Sequence, residues 1–319
     1  MSIVTTQQLA RFFELFEKTE VTFNKQVLSA TGLVSKNVYL KVLDRQWPCV
    51  VFSSSMATSR VIVTVKETFL TALRKANNRL SLRWCFKLPE KPEPITFFVS
   101  CHAGGFTPYD PQSQEVQLLT LDFTQRPSDD LISIIGSLLD ANTNAQRRKE
   151  ERIPITPENM KRLGLETREA ILSLVGKAHR GVLRDLSFGG ARILTSAITP
   201  GAVGSTVTLR IAKGEQGGEL LLLGVIRRVE EVGGRKDIVL VAVEYPRDTP
   251  MSYKLLINSY ISTARKASDG IVAKKPAAAP PTAHAQDNGA SFPEEEPEKQ
   301  GDNEGEGSGP EKESSKEDE

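Results

Sequence analysis

Long apolar runs are missing from this chain: no stretch approaches the roughly 20 consecutive apolar residues that a membrane-spanning helix requires. The first 20 residues, MSIVTTQQLARFFELFEKTE, also lack the basic start, apolar block and small-residue cleavage site of a leader, so the chain is expected to remain in the cytoplasm. Cysteine is scarce. Cys49, Cys85 and Cys101 are odd in number, widely spaced and set in apolar surroundings, which excludes a disulfide framework and a zinc knuckle and reads as three core thiols. Histidine is equally sparse, and His102, His179 and His284 form no pair at metal-ligand spacing. No Ser/His/Asp or Cys/His grouping and no G-x-x-x-x-G-K-[ST] loop is present, so neither an enzyme nor a bound metal or cofactor is expected.

What is present is enough for two cores. At 319 residues the chain exceeds one typical domain, and 39% hydrophobic content is that of a protein able to bury a core in each half. A net charge of +1 conceals a division: residues 287–319 hold 13 acids against three lysines, leaving residues 1–286 with 11 more basic than acidic side chains. A basic body attracts anions, and nucleotides, nucleic acid or an anionic surface all qualify. From residue 267 to 319 the chain is rich in Pro, Gly, Ser and Glu and almost free of large apolar side chains, so it is expected to be a disordered acidic tail.

Residues 1–128 read as an α+β domain. Leu9, Phe12, Phe13 and Phe16 recur at helical spacing, and NVYLKVL, PCVVFSS, RVIVTVK, RLSLRWCFKL, ITFFVS and EVQLLTLDF alternate as strands, with ETFLTALRKANN a helix between two of them. The pattern suggests a small barrel or curved sheet. Residues 129–146 form an interdomain helix, with Ser128 as N-cap and Leu131, Ile134, Ile135, Leu138 and Leu139 on one face. Residues 147–266 hold six strand candidates separated by turn signals such as GG, TPGAVG and KGEQGG, the pattern of a closed antiparallel barrel, followed by a closing helix at 252–266.

Two short motifs carry the chemistry. The stretch RDLSFGGARI contains Asp185-x-Ser187-x-x-Gly190. Residues two apart on a strand face the same side, so the Asp185 carboxylate and the Ser187 hydroxyl point together, and Gly189-Gly190 permits a sharp turn or the close approach of a flat ligand. A carboxylate can accept both N–H donors on one edge of guanine. Arg148-Lys-Glu-Glu-Arg152, preceded by Arg147, is an R-x-x-x-R pair where the interdomain segment meets the barrel, and guanidinium groups bind phosphate, pair with guanine O6/N7 and stack on its face. Arg180 and Arg184 repeat the spacing but lie too near Asp185 to close over a ligand.

Together, both motifs in this order, the six-strand pattern, the strand GVIRRVEEV, the terminal VAVEY strand and the helix after it resemble the PilZ family over residues 147–247. The resemblance implies a mainly β chain with some α: a C-terminal six-stranded PilZ barrel, joined by a helix to an N-terminal PilZ-like barrel. It implies a receptor for cyclic di-GMP, in which Arg148 and Arg152 reach from a flexible arm, Arg147 adds a phosphate contact, and Asp185, Ser187 and Gly190 hold the ligand from the barrel. Ligand binding would change the interdomain arrangement and signal to a protein partner. Direct nucleic-acid binding by the basic body is the alternative. The segment 153–167, with Thr156 as cap and Pro157 at the first helical position, makes the gap between the motifs longer than the family usually shows.

Overall fold

The computed structural model describes residues 4–88, 91–110, 112–196, 198–214 and 218–272. Its first half runs α1 (Thr6–Phe16), β1 (Val21–Thr22), α2 (Lys25–Thr31), β2 (Tyr39–Val42), β3 (Arg45–Ser54), β4 (Thr58–Thr64), α3 (Glu67–Lys75), β5 (Arg79–Phe86), β6 (Ile95–Asp110) and β7 (Ser113–Phe123). Strands pair in the order β3-β2-β5-β6-β7-β4, and β4 returns to β3, closing a six-stranded antiparallel barrel with β1 added outside β3. The six expected strands are the six of the ring. Helix α2 was not legible from periodicity. Its signals are its ends: the Asn24 side chain accepts the Val27 N–H at 3.0 Å, and Gly32 closes it at φ 69°, where a Cβ would stand 2.2 Å from the Lys87 carbonyl oxygen.

Helix α4 (Asp129–Arg147) starts at the expected cap, with Ser128 Oγ accepting the Leu131 N–H. Its apolar face, Leu131, Ile132, Ile134, Ile135, Leu138 and Leu139, is buried in the core of the first barrel, each large side chain contributing about 1.5–3 kcal/mol of burial. Helix α1 crosses it so closely at Gly136 that a Cβ there would lie 2.3 Å from the Phe12 ring.

The second half continues β8 (Ile153–Pro154), α5 (Pro157–Arg162), β9 (Leu165–Leu174), β10 (Lys177–Ser187), β11 (Gly190–Ser196), β12 (Thr206–Lys213), β13 (Glu219–Val232), β14 (Arg235–Glu244) and α6 (Met251–Val272). The expected short helix in the long gap is α5, whose Thr156 hydroxyl accepts the Asn159 N–H at 3.2 Å. The second barrel closes in the order β10-β9-β12-β13-β14-β11, with β8 added outside β10. Numbered within each half, this is the strand order of the first barrel, including the extra strand on the second ring member.

Helix α6 ends at Val272 and not at 266; residues 273–319 of the expected tail lie outside the described residues. Tyr253, Ile257 and Ile261 of α6 enter the second core, while Met251 belongs to the first. Between α4 and α6, Asn144 Nδ2 donates to Asn258 Oδ1 (2.7 Å) and Asn258 Nδ2 donates to Asp140 Oδ2 (2.8 Å), a polar bridge that pairs the otherwise costly buried amide of Asn258.

Candidate functional site

The arm from α4 to β8 lies against the β10–β11 hairpin. Arg147 is the exposed last residue of α4, and Arg148 caps the helix with its N–H on the Asn144 carbonyl at 2.8 Å. The Lys149 carbonyl then accepts the Gly189 N–H at 3.1 Å, β8 pairs Pro154 with Asp185 and Ile153 with Leu186, and the Ile155 N–H reaches the Arg184 carbonyl at 2.9 Å. Residues 149–155 are thereby tied to the strand that carries the second motif.

That pairing brings Arg152 to Asp185. Arg152 Nη1 donates to Asp185 Oδ1 at 2.6 Å, and Arg192 Nε donates to Oδ2, also at 2.6 Å. Asp185 is only 4% exposed, yet both oxygens carry charge-assisted bonds, which is the condition under which a buried carboxylate is tolerated. Asp185 faces Arg192 in the register that runs back from the hairpin turn, and a bulge between Leu183 and Asp185 shifts the pairing beyond them.

Ser187 is buried beside it, its hydroxyl donating to the Gly190 carbonyl at 3.3 Å and its own carbonyl accepting the Tyr253 hydroxyl at 2.8 Å. The two glycines answer to close approach and not to a left-handed turn, since neither has positive φ. A Cβ on Gly190 would stand 2.2 Å from the Val243 carbonyl oxygen, and one on Gly189 would stand 2.5 Å from Lys149 Cγ. One glycine admits the neighbouring strand, the other the arm.

Arg148 is not brought to this cluster. Its side chain lines an open cavity of about 620 Å³ between α1, α4 and α6, with Gln8, Asp140, Asn144 and Ile261. Its Nη1 is buried without a hydrogen-bond partner, 3.6 Å from Glu151 Oε2. The two motif arginines therefore point to different places.

A second charged cluster flanks Gly190. Glu244, opposite Gly190 in the β11–β14 register, receives Lys149 Nζ at 2.7 Å on Oε1 and Arg227 Nε at 2.5 Å on Oε2. These two bonds hold the Glu244 carboxyl below its ordinary range. Lys149, Phe188, Gly189, Tyr245, Arg247 and Lys254 line a neighbouring cavity of about 540 Å³. On the first barrel, Trp84 is wholly buried, whereas Tyr39 and Phe98 lie at the surface with Arg83 and Lys41 over their rings at 5.2 and 6.0 Å. Among the described residues no group of His, Cys, Asp and Glu is placed to hold a metal ion, and no helix is long and apolar enough to cross a membrane.

A PilZ domain model matches residues 146–262, a PilZN3 domain model matches residues 7–142, and a relative from Treponema denticola is 38% identical over 272 residues, 85% of this chain and 87% of its own. The chain belongs to the PilZ family. The T. denticola PilZ relative bears the name cyclic di-GMP binding protein. Solved structures similar to this PilZ chain include Borreliella burgdorferi PlzA in complex with c-di-GMP, 21% identical, covering 80% of this chain and 98% of its own with a TM-score of 0.35. Escherichia coli YcgR in complex with c-di-GMP is 13% identical, covers 83% of this chain and 93% of its own, and has a TM-score of 0.28.

Three polar residues of the PilZ barrel surface escaped the motif reading: Arg192, Glu244 and Arg227. For Arg192 a signal existed. A two-residue turn at 188–189 pairs 187 with 190 and therefore sets 192 opposite 185. Arg227 and Glu244 lie 37 and 54 residues beyond Gly190 on other strands, and no local pattern announces their meeting.

Proposed function

We propose that this chain is a cyclic di-GMP receptor that acts by binding and not by catalysis. The observation that carries the reading is the junction of the two motifs: β8 lies on β10, so that Arg152 meets Asp185 at 2.6 Å, in a chain of the PilZ family. Arg148, Arg152 and Arg147 serve the guanine bases and phosphates, while Asp185, Ser187 and Gly190 supply the barrel face. The Asp185 carboxylate accepts the N1 and N2 donors of guanine, and the arginines it releases turn to O6, N7 or phosphate oxygens.

Arg148 couples the site to the first barrel. To reach the ligand it leaves the cavity formed by α1, α4 and α6, and the packing of those helices sets how the two barrels sit together. Binding therefore changes the interdomain arrangement and offers a new surface to a protein partner. The surface carrying Tyr39, Phe98, Arg83 and Lys41 supports a second reading, contact with nucleic acid, which predicts binding that falls steeply with salt.

The test is calorimetric titration with cyclic di-GMP, with GTP as control ligand, on the intact chain and on a double variant, Arg148→Ala with Arg152→Ala. Loss of two charge-assisted contacts of about 1.5–3 kcal/mol each weakens binding at least tenfold or so. An intact chain that takes up no cyclic di-GMP overturns the reading.

A further inference from the structure

Two carboxylates on the outer face of the second barrel are each held by two cations: Asp185 by Arg152 and Arg192, and Glu244 by Lys149 and Arg227. The clusters share their construction. In each, one cation comes from the arm (Arg152 or Lys149) and one from a barrel strand (Arg192 on β11, Arg227 on β13). They are joined through Gly190, which lies opposite Ser187 on one side and opposite Glu244 on the other. With neighbouring strands about 4.8 Å apart, Asp185 on β10 and Glu244 on β14 stand two strands and one pleat apart, roughly 12 Å. Between them the surface is low: Gly190 has no side chain, and Ala242 stands opposite Arg192.

The chemistry of the capping groups matters. A guanidinium presents a carboxylate with N–H donors on one planar edge, and the N1–H and N2–H donors of guanine present the same pattern. Here the two donors come from two cations, one on each oxygen, Arg152 and Arg192 on Asp185 and Lys149 and Arg227 on Glu244, and each pair occupies the place a guanine edge would take. Four cations against two carboxylates leave two positive charges, matching the two phosphodiesters of a cyclic dinucleotide. An exposed ion pair alone would contribute little and indicate nothing. Here the exposed Glu244 cluster shares the arm and the glycine with the buried Asp185 cluster.

We propose that Glu244, Lys149 and Arg227 form a second guanine-recognition subsite, the counterpart of Asp185, Arg152 and Arg192, and that one cyclic dinucleotide spans both across Gly190. This rests on the receptor reading above and adds to it the residues that read the second base. Glu244 accepts the N1 and N2 donors of that guanine, and Arg227 and Lys149 move to the adjoining phosphate. Adenine, which has no N2 amino group and an acceptor at N1, is excluded from the same position by the carboxylate.

Calorimetry with cyclic di-GMP and with the mixed cyclic GMP–AMP dinucleotide separates the possibilities. The intact chain is expected to bind one cyclic di-GMP per chain and to prefer it over the mixed ligand. Glu244→Gln weakens cyclic di-GMP binding by about tenfold or more and brings the two ligands towards equal affinity, because the second base is no longer read. Arg227→Ala, at a position 63% exposed and tolerant of truncation, weakens both ligands while keeping the preference. Wild-type affinity and preference in Glu244→Gln, a loss of affinity with preference intact in that variant, or two ligands per chain would each overturn the subsite. Absence of binding by the intact chain would instead overturn the receptor reading on which it stands.

Discussion

The hydroxyl of Tyr253 donates to the carbonyl of Ser187 at 2.8 Å, across 66 residues of sequence, and fastens α6 to the hairpin that carries the D-x-S-x-x-G motif. Both ends of that bond are buried, and the Tyr245 ring packs edge-on against Tyr253 with centroids 5.5 Å apart.

Replacing Tyr253 by Phe leaves the Ser187 carbonyl without this donor and is expected to cost about 1–2 kcal/mol, read as a lower midpoint in urea at pH 7. Burial raises both phenols above their ordinary value of 10.0. A group whose folded pKa is raised contributes stability that is complete below the unfolded value and is lost as pH rises through the folded one. Stability of the parent chain should therefore begin to fall above about pH 10, and Tyr253→Phe should flatten that decline. An alkaline limb unchanged by the substitution would place the sensitivity elsewhere.

The two glycines of the hairpin should fail differently. Gly190→Ala drives a methyl into the Val243 carbonyl, a fixed backbone atom, and should destabilise the barrel by about 1–3 kcal/mol or more. Gly189→Ala meets mainly the flexible Lys149 side chain and the docked arm. There the melting temperature should change little, while trypsin should cut the 147–152 segment faster than in the parent. Equal stability losses at the two positions would remove the distinction between a strand contact and an arm contact.

The β9–β10 turn contains an avoidable strain. Leu174 pairs with Lys177, so Val175 and Gly176 form a two-residue turn with φ of 46° and 76°. A left-handed conformation suits Gly or Asn and is costly for a β-branched side chain, and Val175 is 88% exposed with no packing to offset that cost. Val175→Asn produces Asn-Gly, the sequence such turns favour, and should stabilise the chain by about 1 kcal/mol, a shift of roughly 2–4 °C in melting temperature. No change on thermal melting would refute the assignment of strain to this turn.

The ring strands were legible because each alternates over at least four residues between a buried and an exposed face, so one-dimensional pattern and three-dimensional burial coincide, as at Leu172, Leu209 and Val241. The pairing of Arg152 with Asp185 was legible only as a juxtaposition of motifs; the two-residue strand β8 that enforces it, containing Pro154, has no periodicity to read. The position of Arg148 was not legible at all, because α1 and α6, more than 100 residues to either side, build the cavity it enters. Burial of the cysteines followed from their apolar neighbours, and in the folded chain it pushes the Cys49 and Cys101 thiols up to about 12. The glycine pair read as either a sharp turn or the close approach of a flat ligand; Gly189 does lie in the two-residue turn, and the close contacts of both glycines are with the chain's own segments, the neighbouring strand and the arm.

The shared strand order of the two barrels gives the motif hairpin a counterpart, β3–β4. There the connection is held by hydroxyl groups: Ser54 Oγ lies 2.6 Å from Ser59 Oγ, and the Ser55 hydroxyl accepts the Ala57 and Thr58 N–H groups. Ser53, Ser54, Ser55 and Ser59 are all at most 1% exposed. The two hairpins are thus one chassis with different fittings: just past the bulge an arginine faces a serine in one copy (Arg60 Nε on Ser53 Oγ, 3.0 Å) and a carboxylate in the other (Arg192 Nε on Asp185 Oδ2, 2.6 Å).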